Sequence, residues 1–194
     1  MFWKEHARYI VGFLIAIAMA ILVFSLIFKA IGGNDSGDKT EDQVQLVDYI
    51  ETDAVMSMTA LGPIVAEQNY QAVRISVDTL QAKIEVMSGF EGNVVSSQVY
   101  SSNNAAFNEF VRALAGTGFD RGIDDPRLED EAGQCPTGVR YIFSVTEDGQ
   151  TKQRYWTGTC TKGTFEGNRP QTVDLFQAQI PDYGTQVRGV RFGI

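Results

Sequence analysis

The chain has 194 residues, with 16 Lys and Arg against 24 Asp and Glu, which gives a net charge of −8. Residues 1–33 hold three of the basic residues and one acidic residue, so 13 basic and 23 acidic residues follow, a net charge of −10. Such a surface repels nucleic-acid phosphates and anionic lipid head groups, which argues against a nucleic-acid partner. The only histidine is His6, so the rest of the chain lacks histidine general bases, catalytic triads and histidine-ligated zinc.

An uncharged apolar run covers Tyr9–Phe28. At about 1.5 Å per residue, its 20 positions would make a helix of roughly 30 Å, the thickness of a bilayer's hydrocarbon core. Trp3 and Tyr9 suit a membrane interface, and Lys4, Arg8 and Lys29 flank the run. The run predicts a transmembrane helix that contacts the lipid bilayer, and its length favours a retained anchor over a cleaved signal peptide.

The segments around this run divide the chain into four parts. Residues 1–8 would form a short cytoplasmic tail, and residues 9–28 the transmembrane helix. Residues 29–43 include a glycine-, serine- and charge-rich stretch that is typical of a flexible spacer. Residues 44–194 are long enough for one extracytoplasmic domain of ordinary size. Nearly equal numbers of basic residues lie before and after the apolar run, so charge does not decide the orientation of the chain in the membrane. That orientation depends on the cysteines discussed below.

Alternating apolar residues predict an α+β domain with an antiparallel sheet beyond the spacer. Strands are expected around Met56–Ala60, Val73–Val77, Leu80–Val86 and Val94–Tyr100, in a hairpin around Asp148-Gly149, and over Val187–Phe192. A helix is expected after Asn103 or Asn104, with Phe107, Phe110, Val111 and Leu114 on its apolar side. A second short helix is expected over about Thr172–Gln179. Both helices would lie on one face of the sheet.

The two halves share an order of elements that suggests an internal repeat. Each half has a strand hairpin, the tetrapeptide Phe-Glu-Gly-Asn at 90–93 or 165–168, and a helix that carries phenylalanine. One hypothesis is a duplicated ββα unit, and the alternative is that Gly-Asn turns recur by chance.

Cys135 and Cys160 flank the predicted hairpin around Asp148-Gly149. Hairpin pairing brings them close together at its open end, so we expect a disulfide bond worth on the order of 3 kcal/mol. Because disulfides persist outside the cytoplasm, this bond places the domain outside the cell membrane with the N terminus inside. Two buried free cysteines in a cytosolic domain are the alternative.

The acidic loop 120–131 is the one candidate metal site. Carboxylates suit calcium, and the weak candidates are Asp120, Asp124, Asp125 and Glu131. The loop departs from the EF-hand pattern at Gly122 and Asp125, so a solvated loop is the stronger interpretation. No cofactor is expected, and no spacing of carboxylates or lysines marks a catalytic site.

Aromatic and basic residues near the second hairpin form a candidate interaction face. Tyr155 and Trp156 would contribute to it if alternation left either one outward, and Arg188 and Arg191 would add positive charge. Packing of these aromatic rings in the core is the alternative.

Three segments of the last third resemble uncharacterised single-span membrane-anchored proteins of small-genome candidate-phylum bacteria. They are Cys135-Pro136-Thr137-Gly138-Val139-Arg140-Tyr141, Thr164-Phe165-Glu166-Gly167 and Gln179-Ile180-Pro181-Asp182-Tyr183. The resemblance implies a bacterial, surface-facing protein and no known activity.

These observations favour a non-catalytic function. The predicted protein is a membrane-anchored extracytoplasmic domain that binds a protein partner or forms a subunit of a cell-envelope assembly. A homo-oligomer is a further option. The alternatives are a carboxylate-based hydrolase of envelope glycan or peptide and a calcium-dependent adhesion module.

Overall fold

The computed structural model describes residues 45–190 and 192, and the segments 1–8, 9–28 and 29–43 lie outside these residues. Within residues 45–190 and 192, no helix is both long and apolar enough to cross a membrane. The prediction for Tyr9–Phe28 is therefore not addressed by the described part of the chain.

The domain is α+β, with one six-stranded antiparallel sheet in the order β4-β3-β2-β1-β5-β6. The strands are β1 (Val55–Leu61), β2 (Gln71–Val77), β3 (Gln81–Ser88), β4 (Asn93–Ser101), β5 (Arg140–Glu147) and β6 (Gln150–Gly158). The helices are α1 (Asn104–Thr117), α2 (Arg169–Ala178) and the single turn α3 (Tyr183–Gln186), with 3₁₀ helices at Leu46–Glu51 and Glu67–Asn69. This architecture confirms the predicted fold class of the domain.

Helix α1 begins where the sequence predicts. The Asn103 side chain accepts a hydrogen bond from the Ala106 amide at 3.0 Å, which caps the helix. The helix ends at Thr117, and Gly118 after it has a φ of 73°, the left-handed conformation that glycine adopts most readily. Its buried residues are the predicted set Phe107, Phe110, Val111 and Leu114.

The core lies between the sheet and both longer helices. Alternate residues of the strands, such as Met58 in β1 and Ile75 in β2, point into it with no exposed surface. Phe176 of α2 packs edge-on against Phe110 of α1, with ring centroids 5.2 Å apart. Both helices therefore cover the same face of the sheet.

The two Phe-Glu-Gly-Asn segments have different structural roles. The first connects β3 to β4, with Gly92 at a φ of 68°. The second leads directly into α2, where the Asn168 side chain accepts a hydrogen bond from the Gln171 amide at 3.2 Å. The shared tetrapeptide is thus no evidence for a repeat, and the duplicated ββα unit stays a prediction.

The predicted strand over Val187–Phe192 is wrong for the residues that the structure describes. The chain turns there instead: the Arg188 amide donates to the Thr185 carbonyl at 3.2 Å, and the Val190 amide to the Val187 carbonyl at 3.0 Å. Gly189 has a φ of 100°, a conformation that interrupts an extended strand.

Candidate functional site

The face of the sheet opposite the helices forms a groove with a volume of about 770 Å³. Side chains alternate between the two faces of a strand, so the residues between the core positions point into this groove. We call this surface the open face. Five strands, β1, β2, β3, β5 and β6, contribute side chains to the open face.

Three serines form the floor of the groove. Ser144 of β5 lies opposite Ser57 of β1, which lies opposite Ser76 of β2. The Ser57 and Ser76 hydroxyl oxygens are 3.2 Å apart, a hydrogen-bonding distance. Because serine side chains are short, this row leaves a depression across the middle of the sheet. We call it the serine trough.

A cation lies at each end of the serine trough. Arg154 of β6 is the cross-strand neighbour of Ser144, and Lys83 of β3 is the neighbour of Ser76. Arg154 forms an ion pair with Glu131 from the acidic loop. Lys83 forms an ion pair with Glu85 on its own strand. The ends of the trough are therefore charged and locally balanced.

A polar row runs beside the trough. Thr59, Arg74 and Glu85 are successive neighbours across β1, β2 and β3. The Arg74 Nε donates to the Thr59 hydroxyl at 3.4 Å, and an Arg74 Nη1 lies 4.0 Å from a Glu85 carboxylate oxygen. Two cations, Arg74 and Lys83, thus flank the Glu85 carboxylate.

The far end of the groove is apolar and aromatic. Leu61, Ala72 and Met87 make up the next cross-strand row. Tyr70 packs against Phe90 with ring centroids 4.9 Å apart. Phe90 is 56% exposed, so part of this ring is available to a bound molecule.

A buried arginine that no sequence pattern singled out, Arg140, lies opposite Leu61 in the same cross-strand row. Arg140 is 4% exposed, and its Nη2 donates to the Gly62 carbonyl at 3.0 Å and to the Tyr70 hydroxyl at 3.4 Å. Its Nε has no hydrogen-bond partner among the described residues. Burial raises the pKa of Tyr70, and the neighbouring Arg140 partly opposes this shift because a cation favours the phenolate.

The disulfide between Cys135 and Cys160 is present, with Cα atoms 5.5 Å apart. This confirms the predicted pairing. The bond joins the segment before β5 to the turn after β6 and closes a sequence separation of 25 residues. The Cys160 amide also donates to the Cys135 sulfur at 3.1 Å.

The four calcium candidates do not converge on one point. Asp125 is held by Arg127, with an Nη2 to Oδ2 distance of 2.8 Å, and these hydrogen bonds lower the pKa of the carboxyl. Glu131 binds Arg154. In the described part of the chain, no three acidic, cysteine or histidine side chains are placed to hold a metal ion. Asp120 and Asp124 lie close enough to Tyr155 to raise its pKa, after the larger effect of burial.

The predicted interaction face requires a correction. Tyr155 and Trp156 are consecutive in β6, so they point to opposite faces of the sheet. Trp156 is 1% exposed, and its indole nitrogen donates to the Leu128 carbonyl beneath the acidic loop. Tyr155 is half-buried and lies opposite Phe143. Arg188 is exposed in the turn after α3, and Arg191 lies outside the described residues.

Comparison with known proteins finds no protein family whose model matches the chain, and no similar sequence among the curated proteins.

Proposed function

We propose that the chain is a membrane-anchored, extracytoplasmic binding domain whose serine trough holds an extended polar segment of a partner protein. The observation that carries this proposal is the serine trough, the floor of a groove of about 770 Å³ on a sheet face that the described helices leave open. Its serine hydroxyls both donate and accept hydrogen bonds, as the main chain of a peptide requires. The exposed part of Phe90 supplies an apolar anchor at the far end of the groove, beyond the polar row.

The ion pairs in the groove favour binding over hydrolysis. A carboxylate hydrolase needs one carboxyl group that gives up a proton and a second that accepts one or attacks. Glu85 is held by Lys83 and approached by Arg74, and Glu131 is held by Arg154. Both carboxylates are therefore occupied in ion pairs with neighbouring cations.

The location is a second part of the proposal. Tyr9–Phe28 anchors the chain in the membrane, and the disulfide favours an oxidising compartment outside the cytoplasm. The resemblance to single-span bacterial proteins supports the same membrane-anchored, surface-facing location. Alkaline extraction should leave the protein in the membrane fraction, and deletion of residues 9–28 should release it. Unreduced protein taken directly from cells should not react with a thiol-blocking reagent. Reaction of both cysteines would contradict an outward-facing domain.

Site-directed photocrosslinking tests the binding role. A photoreactive residue at Ser144, on the trough floor, should give a discrete crosslinked product in intact cells. The matched control carries the same residue at Glu109, an exposed position of α1 whose side chain is 77% accessible. Ser57→Trp fills the trough and should abolish the product formed through Ser144. Equal products from both positions, or a product that Ser57→Trp leaves unchanged, would contradict binding in the trough.

A further inference from the structure

Strand β4 forms one edge of the sheet, and its outer side is open among the described residues. Among residues 45–190 and 192, its only strand partner is β3. Eight of its nine residues are exposed, and only Tyr100 is partly buried. Three valines are among them: Val94, Val95 and Val99 are 51%, 63% and 48% exposed. In an edge strand, alternate backbone amides and carbonyls face outward with no partner strand.

This edge lacks the side chains that usually prevent edge-to-edge pairing. Its sequence, NVVSSQVYS, contains no charged residue and no proline. A shift in register between Val86 and Met87 disturbs only the start of the strand, and pairing is regular from Ser96 to Ser101. Natural sheets commonly protect an open edge with lysine, proline or a bulge along its length. From Ser96 to Ser101, β4 has none of these, and its one irregularity leaves Val95 without a cross-strand partner on β3.

The strand is complementary to itself in one antiparallel register. If two copies meet about a two-fold axis at Ser97, Val95 of each copy lies opposite Val99 of the other. Ser97 lies opposite its own equivalent, and Ser96 lies opposite Gln98. Apolar side chains then meet apolar ones and polar side chains meet polar ones. No charges face each other across this register, even though residues beyond 33 carry a net charge of −10.

We infer that a second copy of this chain pairs with β4 and joins the two sheets into one. The contact is isologous, as expected for a two-fold dimer, and it closes the edge. Main-chain hydrogen bonds supply much of the binding, and the paired valines set the register. The inference is independent of the proposed partner in the serine trough, because it uses the edge of the sheet and not its open face.

The register makes a specific crosslinking prediction for the full-length protein in detergent. Ser97→Cys should form a disulfide-linked dimer under mild oxidation, because directly opposite Cα atoms in an antiparallel pair are about 4.5–5.5 Å apart. The matched control is Glu109→Cys on α1, which should stay monomeric on non-reducing gels. The native cysteines are bonded to each other and add no free thiol among the described residues.

A second variant tests the same contact without oxidation. Wild-type protein should show a concentration-dependent dimer mass in sedimentation equilibrium, and Val95→Lys should lose that dimer because it places two cations in the interface. Its melting temperature at low concentration should match the wild type, since Val95 is exposed. A monomer at every concentration, a dimer unaffected by Val95→Lys, or a Ser97→Cys crosslink only to a different protein would overturn the inference.

Discussion

The two edges of the sheet are built differently. At the Trp156 end of β6 the outer side is covered by residues that follow the strand: the Phe165 amide donates to the Trp156 carbonyl at 2.9 Å, and the Trp156 amide donates to the Thr164 hydroxyl at 3.0 Å. The acidic loop adds a further contact through the Leu128 carbonyl. At β4, the described part of the chain offers no such cover.

One edge strand is thus stabilised by contacts within the chain, and the other is left open to contacts with another molecule. The Trp156–Gly158 end of the β6 edge is hydrogen-bonded within the chain, and the Cys135–Cys160 bond joins the segment after it to the segment before β5, so changes there should act on the stability of the folded domain. The β4 edge leaves backbone groups and valines open, so its stabilisation can come from another molecule. Changes at β6 should therefore alter the free energy of unfolding, and changes at β4 should alter association.

Trp156→Ala should have the largest effect on stability. The substitution removes a buried indole and its hydrogen bond to Leu128, and we expect a loss of about 3–5 kcal/mol in the free energy of unfolding. The measurement is urea denaturation followed by circular dichroism. The control at the other edge is Ser96→Ala, an exposed position that should change stability by less than about 0.5 kcal/mol. Comparable losses for both variants would remove the distinction between the edges.

Loss of the disulfide should have the next largest effect. Replacing both Cys135 and Cys160 by serine releases a loop with a sequence separation of 25 residues and should cost about 2–4 kcal/mol. Native-state hydrogen exchange should locate the effect: protection should fall first at the base of the β5–β6 hairpin, while β3 and β4 keep their wild-type rates. Uniform loss of protection across the sheet would show that the bond does not act locally on this edge.

The smallest effect concerns the titration of Tyr155 beside the acidic loop. Burial, and then Asp120 and Asp124, raise its pKa above the usual 10.0. The neutral phenol therefore contributes stability that is present below pH 10 and is lost as the pH rises through the folded-state pKa. Asp120→Asn with Asp124→Asn should lower this pKa and reduce the alkaline fall in stability.

The readout is the free energy of unfolding measured by urea denaturation on both sides of pH 10, together with tyrosinate absorbance. Asp130→Asn is the matched control, because it removes the same charge from the same loop and is not one of the carboxylates that raise the Tyr155 pKa. An identical alkaline response in all three proteins would show that Asp120 and Asp124 do not act on Tyr155.

The sequence predicts the local elements of the domain well. Alternation in β1 and β3, the Asn103 cap and the spacing of Phe107 and Phe110 are local signals, and the structure confirms them. The cysteine pair was also predictable, because a hairpin turn at Asp148-Gly149 fixes which residues meet.

The open face was harder to predict because it depends on the order of strands. Ser57, Ser76 and Ser144 alternate with core residues in their own strands, a signal that was present in the sequence. Their alignment into one trough follows only from the pairing of β1 with both β2 and β5, and no local pattern specifies that pairing. Whether Trp156 is buried or exposed could not be predicted for a related reason. Its burial depends on the acidic loop, which contacts β6 from elsewhere in the chain.

The central position of β1 has a consequence for folding during synthesis. Strands β1 to β4 follow one another closely in the chain and pair in sequence order, so their contacts are the more local ones of the sheet. The other side of β1 pairs with β5, which the ribosome makes only after α1 and the acidic loop. A nascent chain in which only β1 to β4 have paired would have two open sides, and unpaired strand edges promote aggregation. The native sheet is complete only when the last third of the chain arrives.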